Sequence, residues 1–159
     1  MAFKTVPPPD SSLLLDVLYN VTQPVGPKPL AADSPDDVML VQLCLKQIFE
    51  NRFTFSPVPP PLASGSTIVV DGKFGPITQE AIVTFQNYVR NIGLSIRPDG
   101  FVNRAGDFSG TSPTAHTIYT IVWLNQFLAG VIGQDRFNHL EDDPITPFAL
   151  QVRLAASAA

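Results

Sequence analysis

The sequence predicts a mainly α fold: a small three-helix bundle with short β segments and extended N- and C-terminal arms. The first observation is that a capping-type residue stands directly before proline three times, at Ser34-Pro35, Gly75-Pro76 and Ser112-Pro113. Proline suits the first position of a helix because its missing N–H would have no partner there. The second observation is that apolar residues recur at helical spacing behind each proline. Three helices are therefore expected.

The first predicted helix runs to about Phe49, and the second runs from Pro76 to about Asn91. The third, from about Pro113 to Val131, is apolar nearly all round, so we expect it to be buried on most sides. One ridge of this third helix is aromatic, with Tyr119, Trp123 and Phe127. These rings either pack in the core of the bundle or form a surface that stacks on sugars or docks a partner.

The helices are expected to form a domain over residues 34–133, with one arm over 1–33 and a second over 134–159. The N-terminal arm is proline-rich and favours extended backbone. Within it, Ser11 and Ser12 are placed to cap a short helical run that ends before the next prolines.

Two further segments have the pattern of strands. Thr67–Val70 and Leu94–Ile96 are candidates for a short ribbon inside the domain. In the C-terminal arm, apolar residues alternate with other residues, which indicates a strand with one apolar face. Its apolar residues are Phe148, Leu150, Val152 and Leu154. The loop Ser56–Ser66 is too rich in proline to be regular, and it faces either a ligand or a partner.

Charge is scarce in this chain. Charged residues make up 15% and hydrophobic residues 45% of 159 residues, and 16 are proline. A small soluble domain usually carries more charge on its surface, so we expect a partner to cover part of this one. The net charge is −4 and Lys and Arg do not cluster, which excludes nucleic acid as the expected partner. No stretch is apolar for the ~18 residues of a membrane span.

The most informative segment is VDGKFGPITQEAIVTFQ, Val70–Gln86. Asp71 and Gly72 form a tight turn, in which glycine accepts a positive φ. The Phe74 side chain is expected to pack in the core beneath the turn, and Gly75 lets the backbone bend into the second helix. The other members of this structural motif are Thr78, Ala81, Phe85 and, at a second turn, Gly100.

This segment resembles the repeat of the peptidoglycan-binding domain family, which typically reads DG-x-FG-x-x-T-x-x-A-V-x-x-FQ. Upstream, Val38, Val41-Gln42 and Leu45 look like the V-x-x-LQ-x-x-L pattern of the family's first helix. Downstream, Gly93-Leu94 and Asp99-Gly100 are similar to the GL…DG that opens its second turn. The resemblance implies a peptidoglycan-binding-like, non-catalytic module that localises to the bacterial cell wall.

Under this resemblance, ligand-binding groups are expected at the turns and at the end of the second helix. They are Asp71, Gln86, Asn87, Arg90 and Asp99. For the three helix residues the alternative is an ordinary solvated surface. The two aspartates also allow a pair of carboxylates for glycoside hydrolysis, but the resemblance makes them turn residues, so we do not predict an enzyme.

Other candidate sites lack the spacing that chemistry requires. His139, Glu141, Asp142 and Asp143 match no known metal-ligand spacing, so they predict a solvated loop. His116 stands alone, and no nucleophile or phosphate-binding motif is present. The sequence therefore predicts no catalytic site, no metal and no cofactor.

The alternative to a wall-binding module is a structural protein of a phage or of a phage-like injection machine, as a capsid, tail or injection component. There the fold would serve protein–protein assembly, including a homo-oligomer. Met1–Asp10 lacks the pattern of a signal peptide, and Cys44, the single cysteine, is expected to be a buried, inert thiol. We therefore expect cytoplasmic synthesis. A virion or injection particle would also carry a wall-binding module to its target.

Overall fold

The computed structural model describes residues 1–7, 15–106, 111 and 117–158. Its α-helices are Pro35–Glu50 (α1), Pro76–Asn91 (α2), Thr120–Ile132 (α3), Gln134–Phe137 (α4) and Phe148–Ala158 (α5). Short 3-10 helices cover Arg52–Thr54 and Leu140–Asp142. Two strands, Phe3–Thr5 (β1) and Leu18–Asn20 (β2), pair antiparallel, with Phe3 opposite Asn20. The prediction of a mainly α fold is confirmed, and these helices are too short or too polar to cross a membrane.

Helix α1 is the centre of the fold. It begins at Pro35 and contacts α2, α3 and α5. Val38, Val41 and Leu45 on its predicted apolar side are fully buried, and so is Leu43 on another side. Because neighbours surround α1, almost no face of it is left for solvent. Helix α2 also begins and ends where the sequence predicts.

Helix α3 begins at Thr120 rather than at Pro113. The main chain of Ile118 forms a bridge with Ile96, and a residue that pairs in this way cannot lie in a helix. Residues 112–116, which include the predicted capping pair and His116, lie outside the described residues. The predicted ribbon is also wrong, because Ile96 pairs with this segment and Thr67–Val70 forms no strand.

The C-terminal segment is a helix, so the prediction of an extended strand there is wrong. Leu150 and Leu154 lie one helical turn apart and are fully buried, whereas Phe148 is 78% and Val152 50% exposed. An alternating pattern contains pairs four residues apart, and the frequent alanines of this segment favour a helix. Helix α5 packs on β1, on α1 and on the 3-10 helix Leu140–Asp142.

The N-terminal segment is not an extended arm, and Leu18–Asn20 is a strand where a helical run was predicted. Residues 8–14, with Ser11 and Ser12, lie outside the described ranges. Val21 and Val25 are fully buried. The carboxylate of buried Asp37 on α1 accepts hydrogen bonds from the main-chain N–H groups of Thr22 and Gln23. Residues of all three predicted segments therefore share one hydrophobic core.

The loop Ser56–Ser66 is irregular, as predicted, and it is held against the helices. The Tyr88 hydroxyl donates to the carbonyl of Pro57 at 2.7 Å. Ser64 binds the carboxylate of Glu80 through its hydroxyl, at 2.6 Å, and through its main-chain N–H, at 2.9 Å.

Candidate functional site

The turn at Asp71 and Gly72 is held by one buried side chain of α1, Gln42. The Gln42 carbonyl oxygen accepts hydrogen bonds from the N–H groups of Asp71, at 3.1 Å, and Gly72, at 2.9 Å. Its amide nitrogen lies 3.0 Å from Asp71 Oδ1, 3.0 Å from the Lys73 carbonyl and 3.1 Å from Thr78 Oγ1. Gly72 has the expected positive φ of 74°. The hydrogen-bonding groups of the Gln42 side chain are therefore fully used.

The second turn is held in the same way by Gln86 of α2. Its carbonyl oxygen accepts from the N–H of Gly100 at 2.8 Å. Its nitrogen donates to the Phe101 carbonyl at 2.9 Å and to Thr120 Oγ1 at 3.0 Å, and lies 3.4 Å from Asp99 Oδ1. Gly100 has a φ of 80°. Gln86 is therefore a positioning residue of the core rather than a ligand-binding group at the surface.

The two glycines also approach equivalent helix positions. The atoms nearest to an added Cβ belong to Pro35 and Met39 at the first glycine, and to Gln79 and Val83 at the second. Pro35 and Met39 stand seven and three positions before Gln42, and Gln79 and Val83 stand seven and three positions before Gln86. The chain therefore repeats one unit, a helix whose amide holds the turn that leads into the next helix.

Helix α3 carries a third amide that the sequence analysis missed. Asn125 follows the buried residue Leu124, as Gln42 follows Val41. Its oxygen accepts from the N–H of Tyr19 at 2.8 Å, and its nitrogen donates to the carbonyl of Tyr19 at 2.8 Å. The sequence did contain a signal for Asn125, because an amide residue directly follows a core residue in all three helices. Here the amide holds strand β2 instead of a turn.

A groove of about 180 Å³ opens beside the first turn. Its apolar wall includes Val69, 62% exposed, and Ile77, 39% exposed. Asp71 and Lys73 also line it, and both are exposed. The N–H of Lys73, followed by the amide of Gln42, lowers the pKa of Asp71 by hydrogen bonding. Both bonds go to Oδ1, and Oδ2 has no partner in the described part of the chain.

The equivalent groove at the second turn is smaller, about 50 Å³. Asp99 Oδ2 lies 3.6 Å from Nε of Arg97. The N-terminal segment covers this turn, because Val25 and Val102 exchange two main-chain hydrogen bonds of 3.0 and 2.8 Å. The ring of Phe101 packs directly on Gly26, the residue that follows Val25.

The structure therefore separates the predicted ligand-binding residues. Asp71 and Asp99 line different grooves, and Gln86 is fully buried. Asn87 and Arg90 line neither groove, and Arg90 is exposed. Of the predicted set, Asp71 lies in the larger groove.

The segment His139–Asp143 is anchored, so the prediction of a solvated loop is wrong for Glu141 and Asp143. Glu141 Oε1 lies 2.6 Å from Lys4 Nζ, and Oε2 accepts a hydrogen bond from the Tyr19 hydroxyl at 3.0 Å. Burial acts to raise the pKa of Glu141, but the hydrogen bond from Lys4, a main-chain hydrogen bond, the bond from Tyr19 and the Lys4 charge together lower it. Asp143 is buried. A ring nitrogen of His139, a carboxylate oxygen of Glu141 and a carboxylate oxygen of Asp142 all lie within 4.8 Å of one another.

The three rings of the predicted aromatic ridge pack against the core, and Tyr119, which precedes α3, also lines the groove at the second turn. The Phe127 ring lies 4.9 Å from that of Phe55 and 5.3 Å from that of Phe85. The indole N–H of Trp123 donates to the carbonyl of Ser95 at 2.8 Å.

Cys44 is buried as predicted, and burial raises the pKa of its thiol to about 12.

Comparison with protein families, with curated proteins and with solved structures finds no match to this chain. No relative therefore assigns a ligand to the repeated turn or its grooves.

Proposed function

We propose that this chain is a non-catalytic module that binds bacterial peptidoglycan in the groove beside the first turn. One observation carries the proposal: the groove combines the exposed apolar side chains of Val69 and Ile77 with an exposed carboxylate, Asp71, and an exposed ammonium, Lys73. The resemblance of Val70–Gln86 to the peptidoglycan-binding repeat supplies the class of ligand.

The groove suits a ligand with both apolar and polar faces. Sugar rings and alanyl side chains present apolar surface to walls such as Val69 and Ile77, while hydroxyl and carboxylate groups reach the charged rim. The turn is already fixed by the Gln42 hydrogen bonds. Binding therefore loses little conformational entropy in the protein, which favours affinity.

The same geometry argues against hydrolysis. A glycosidase places two carboxylates on either side of one bond, about 5 to 9.5 Å apart. Asp71 and Asp99 line separate grooves. Hydrogen bonds lower the pKa of Asp71, which suits a binding carboxylate and not a general acid.

The test is sedimentation of the purified chain with insoluble peptidoglycan, using two valine variants. Val69→Ser removes an apolar contact from the groove, and Val152→Ser removes a comparably exposed valine from α5. We expect saturable binding that Val69→Ser weakens about fivefold, because a lost apolar contact is worth roughly 1 kcal/mol. Val152→Ser should bind like the unchanged chain. Absence of sedimentation, or equal loss in both variants, contradicts the proposal.

A second candidate function is assembly within a phage or phage-like particle. The observation that favours it is the outer face of α5, where Phe148 and Val152 are 78% and 50% exposed one turn apart. Light scattering of the chain and of Phe148→Ser tests this function. An oligomer that the substitution dissociates, with no sedimentation on peptidoglycan, would favour assembly over wall binding.

A further inference from the structure

The second turn already holds an extended peptide, which is the N-terminal segment of this chain. The N–H of Val25 donates to the carbonyl of Val102 at 3.0 Å, and the N–H of Val102 donates back at 2.8 Å. The next residue, Gly26, lies against the Phe101 ring so closely that an added Cβ would stand 2.5 Å from a ring carbon. The second turn therefore binds a short extended segment with a small residue through its main chain.

The equivalent residue of the first turn is Phe74, which follows Asp71 as Val102 follows Asp99. The main-chain N–H and C=O of Phe74 make no hydrogen bond within the described ranges. An ideal Cβ on the next residue, Gly75, meets no heavy atom within 4 Å, so no described segment lies against that side of Gly75. This edge therefore offers one free donor and one free acceptor to a ligand.

We propose that the first turn binds a short extended peptide through the main chain of Phe74, as the second turn binds Val25. The occupant is the peptide stem of peptidoglycan and not its glycan strand. This inference rests on the proposed function and assigns its ligand. Main-chain pairing of this kind is the recognition mode in which an extended peptide adds to an exposed edge.

The side chains that differ between the turns indicate which peptide fits. Lys73 stands where the second turn has Phe101. Its charge helps to lower the pKa of Asp71 in the same groove, but its ammonium makes no ion pair within 4.0 Å in the part of the chain that the structure describes. An ammonium at this position selects a ligand that carries a carboxylate. Peptide stems are short and end in a carboxylate, so they match the unpaired main chain of Phe74 and the charge of Lys73.

The first experiment measures binding of the full chain to intact peptidoglycan and to glycan strands whose peptides an amidase has removed. We expect saturable binding to the intact polymer and a loss of about tenfold or more on the stripped strands. Equal binding to both would overturn this inference and leave the proposed function standing. Binding to neither would overturn the proposed function itself.

The second experiment follows main-chain amide signals by NMR while a soluble stem pentapeptide is added. The Phe74 and Lys73 amides should shift, and the Val102 amide should not, because Val25 already occupies it. Lys73→Gln should weaken binding about fivefold, as expected for one partly solvated ion pair. Lys28→Gln, at another exposed lysine, should not. A Phe74 amide that stays unshifted at saturation, or equal effects of the two substitutions, would overturn the inference.

Discussion

Gln42 and Gln86 occupy the same position in consecutive helices, and each holds the turn that follows its own helix. Each glutamine stands directly after a fully or almost fully buried residue, Val41 or Phe85, so its amide enters the interior beside the core. Burying an amide is costly unless its groups are paired. Both amides pair with the main chain of a glycine turn and with a threonine of the next helix.

Replacing Gln42 or Gln86 by leucine should lower the free energy of unfolding by about 2 to 3 kcal/mol, because buried main-chain N–H groups lose their acceptor. Urea unfolding followed by circular dichroism measures the change. Gln23→Leu is the matched control, because Gln23 is exposed and its side chain makes no hydrogen bond within the described residues. A loss in the core variants no larger than in the control would contradict this account of the turns.

Alanine at Gly72 or Gly100 should destabilise the fold by about 1 to 2 kcal/mol, because a Cβ disfavours the left-handed backbone. Gly72→Ala should be the worse of the two, since the new Cβ would lie 3.1 Å from the main-chain oxygen of Pro35. At Gly100 the nearest atom is the amide nitrogen of Gln79, at 2.9 Å, which ends a long side chain and can shift more easily than a main-chain oxygen. Gly130→Ala on α3 should act in the opposite direction and stabilise by about 0.5 to 1 kcal/mol. Thermal unfolding of the three variants checks the signs, and a stabilising Gly72→Ala would refute the argument.

Leu150→Ala and Leu154→Ala should each cost about 2 to 4 kcal/mol, because both side chains are fully buried. Phe148→Ala and Val152→Ala on the outer face of the same helix should change stability by less than about 0.5 kcal/mol. Chemical unfolding of the four variants measures this. Similar losses at all four positions would indicate a strand with one buried face instead of the helix.

The ion pair between Arg136 and Asp143 should make stability depend on acid pH. Two hydrogen bonds from Arg136, of 2.8 and 2.9 Å, lower the pKa of Asp143 below its ordinary value of 3.8. Because the pKa is lower in the folded chain, this stabilisation is complete above the unfolded value. It is lost as the pH falls through the folded value.

Unfolding measured from about pH 6 to pH 2 should therefore show a weaker acid dependence in Asp143→Asn than in the unchanged chain. Asp135→Asn, at the exposed neighbour of Arg136, should leave the acid dependence as it is. If Asp143→Asn and the unchanged chain lose stability in parallel, the ion pair does not contribute.

The sequence predicts best where a local signal decides the structure. Pro35 and Pro76 begin their helices as expected, because proline and its capping neighbour act within one turn. The C-terminal pattern was ambiguous, since Leu150 and Leu154 fit both a strand and a helix. Packing of these two leucines against the core decided for the helix, and no local rule contains that packing.

The candidate site was only partly predictable for the same reason. The motif correctly located the turn at Asp71, but the resemblance implied a ligand-binding role for Gln86, which points into the core. Whether a polar residue at a helix surface meets solvent depends on the segment that covers it, here the turn at Gly100. Val25 pairs with Val102, which lies far away along the chain, and no local pattern in the sequence predicts this pairing.

Strand β1 and helix α5 lie side by side, and the main-chain N–H of Lys4 donates to the hydroxyl of Ser157 at 2.9 Å. Both ends of the described chain therefore leave the domain at one place. A domain with this geometry can be carried within a loop of a host protein as readily as at its terminus, since the host chain resumes close to where it stopped.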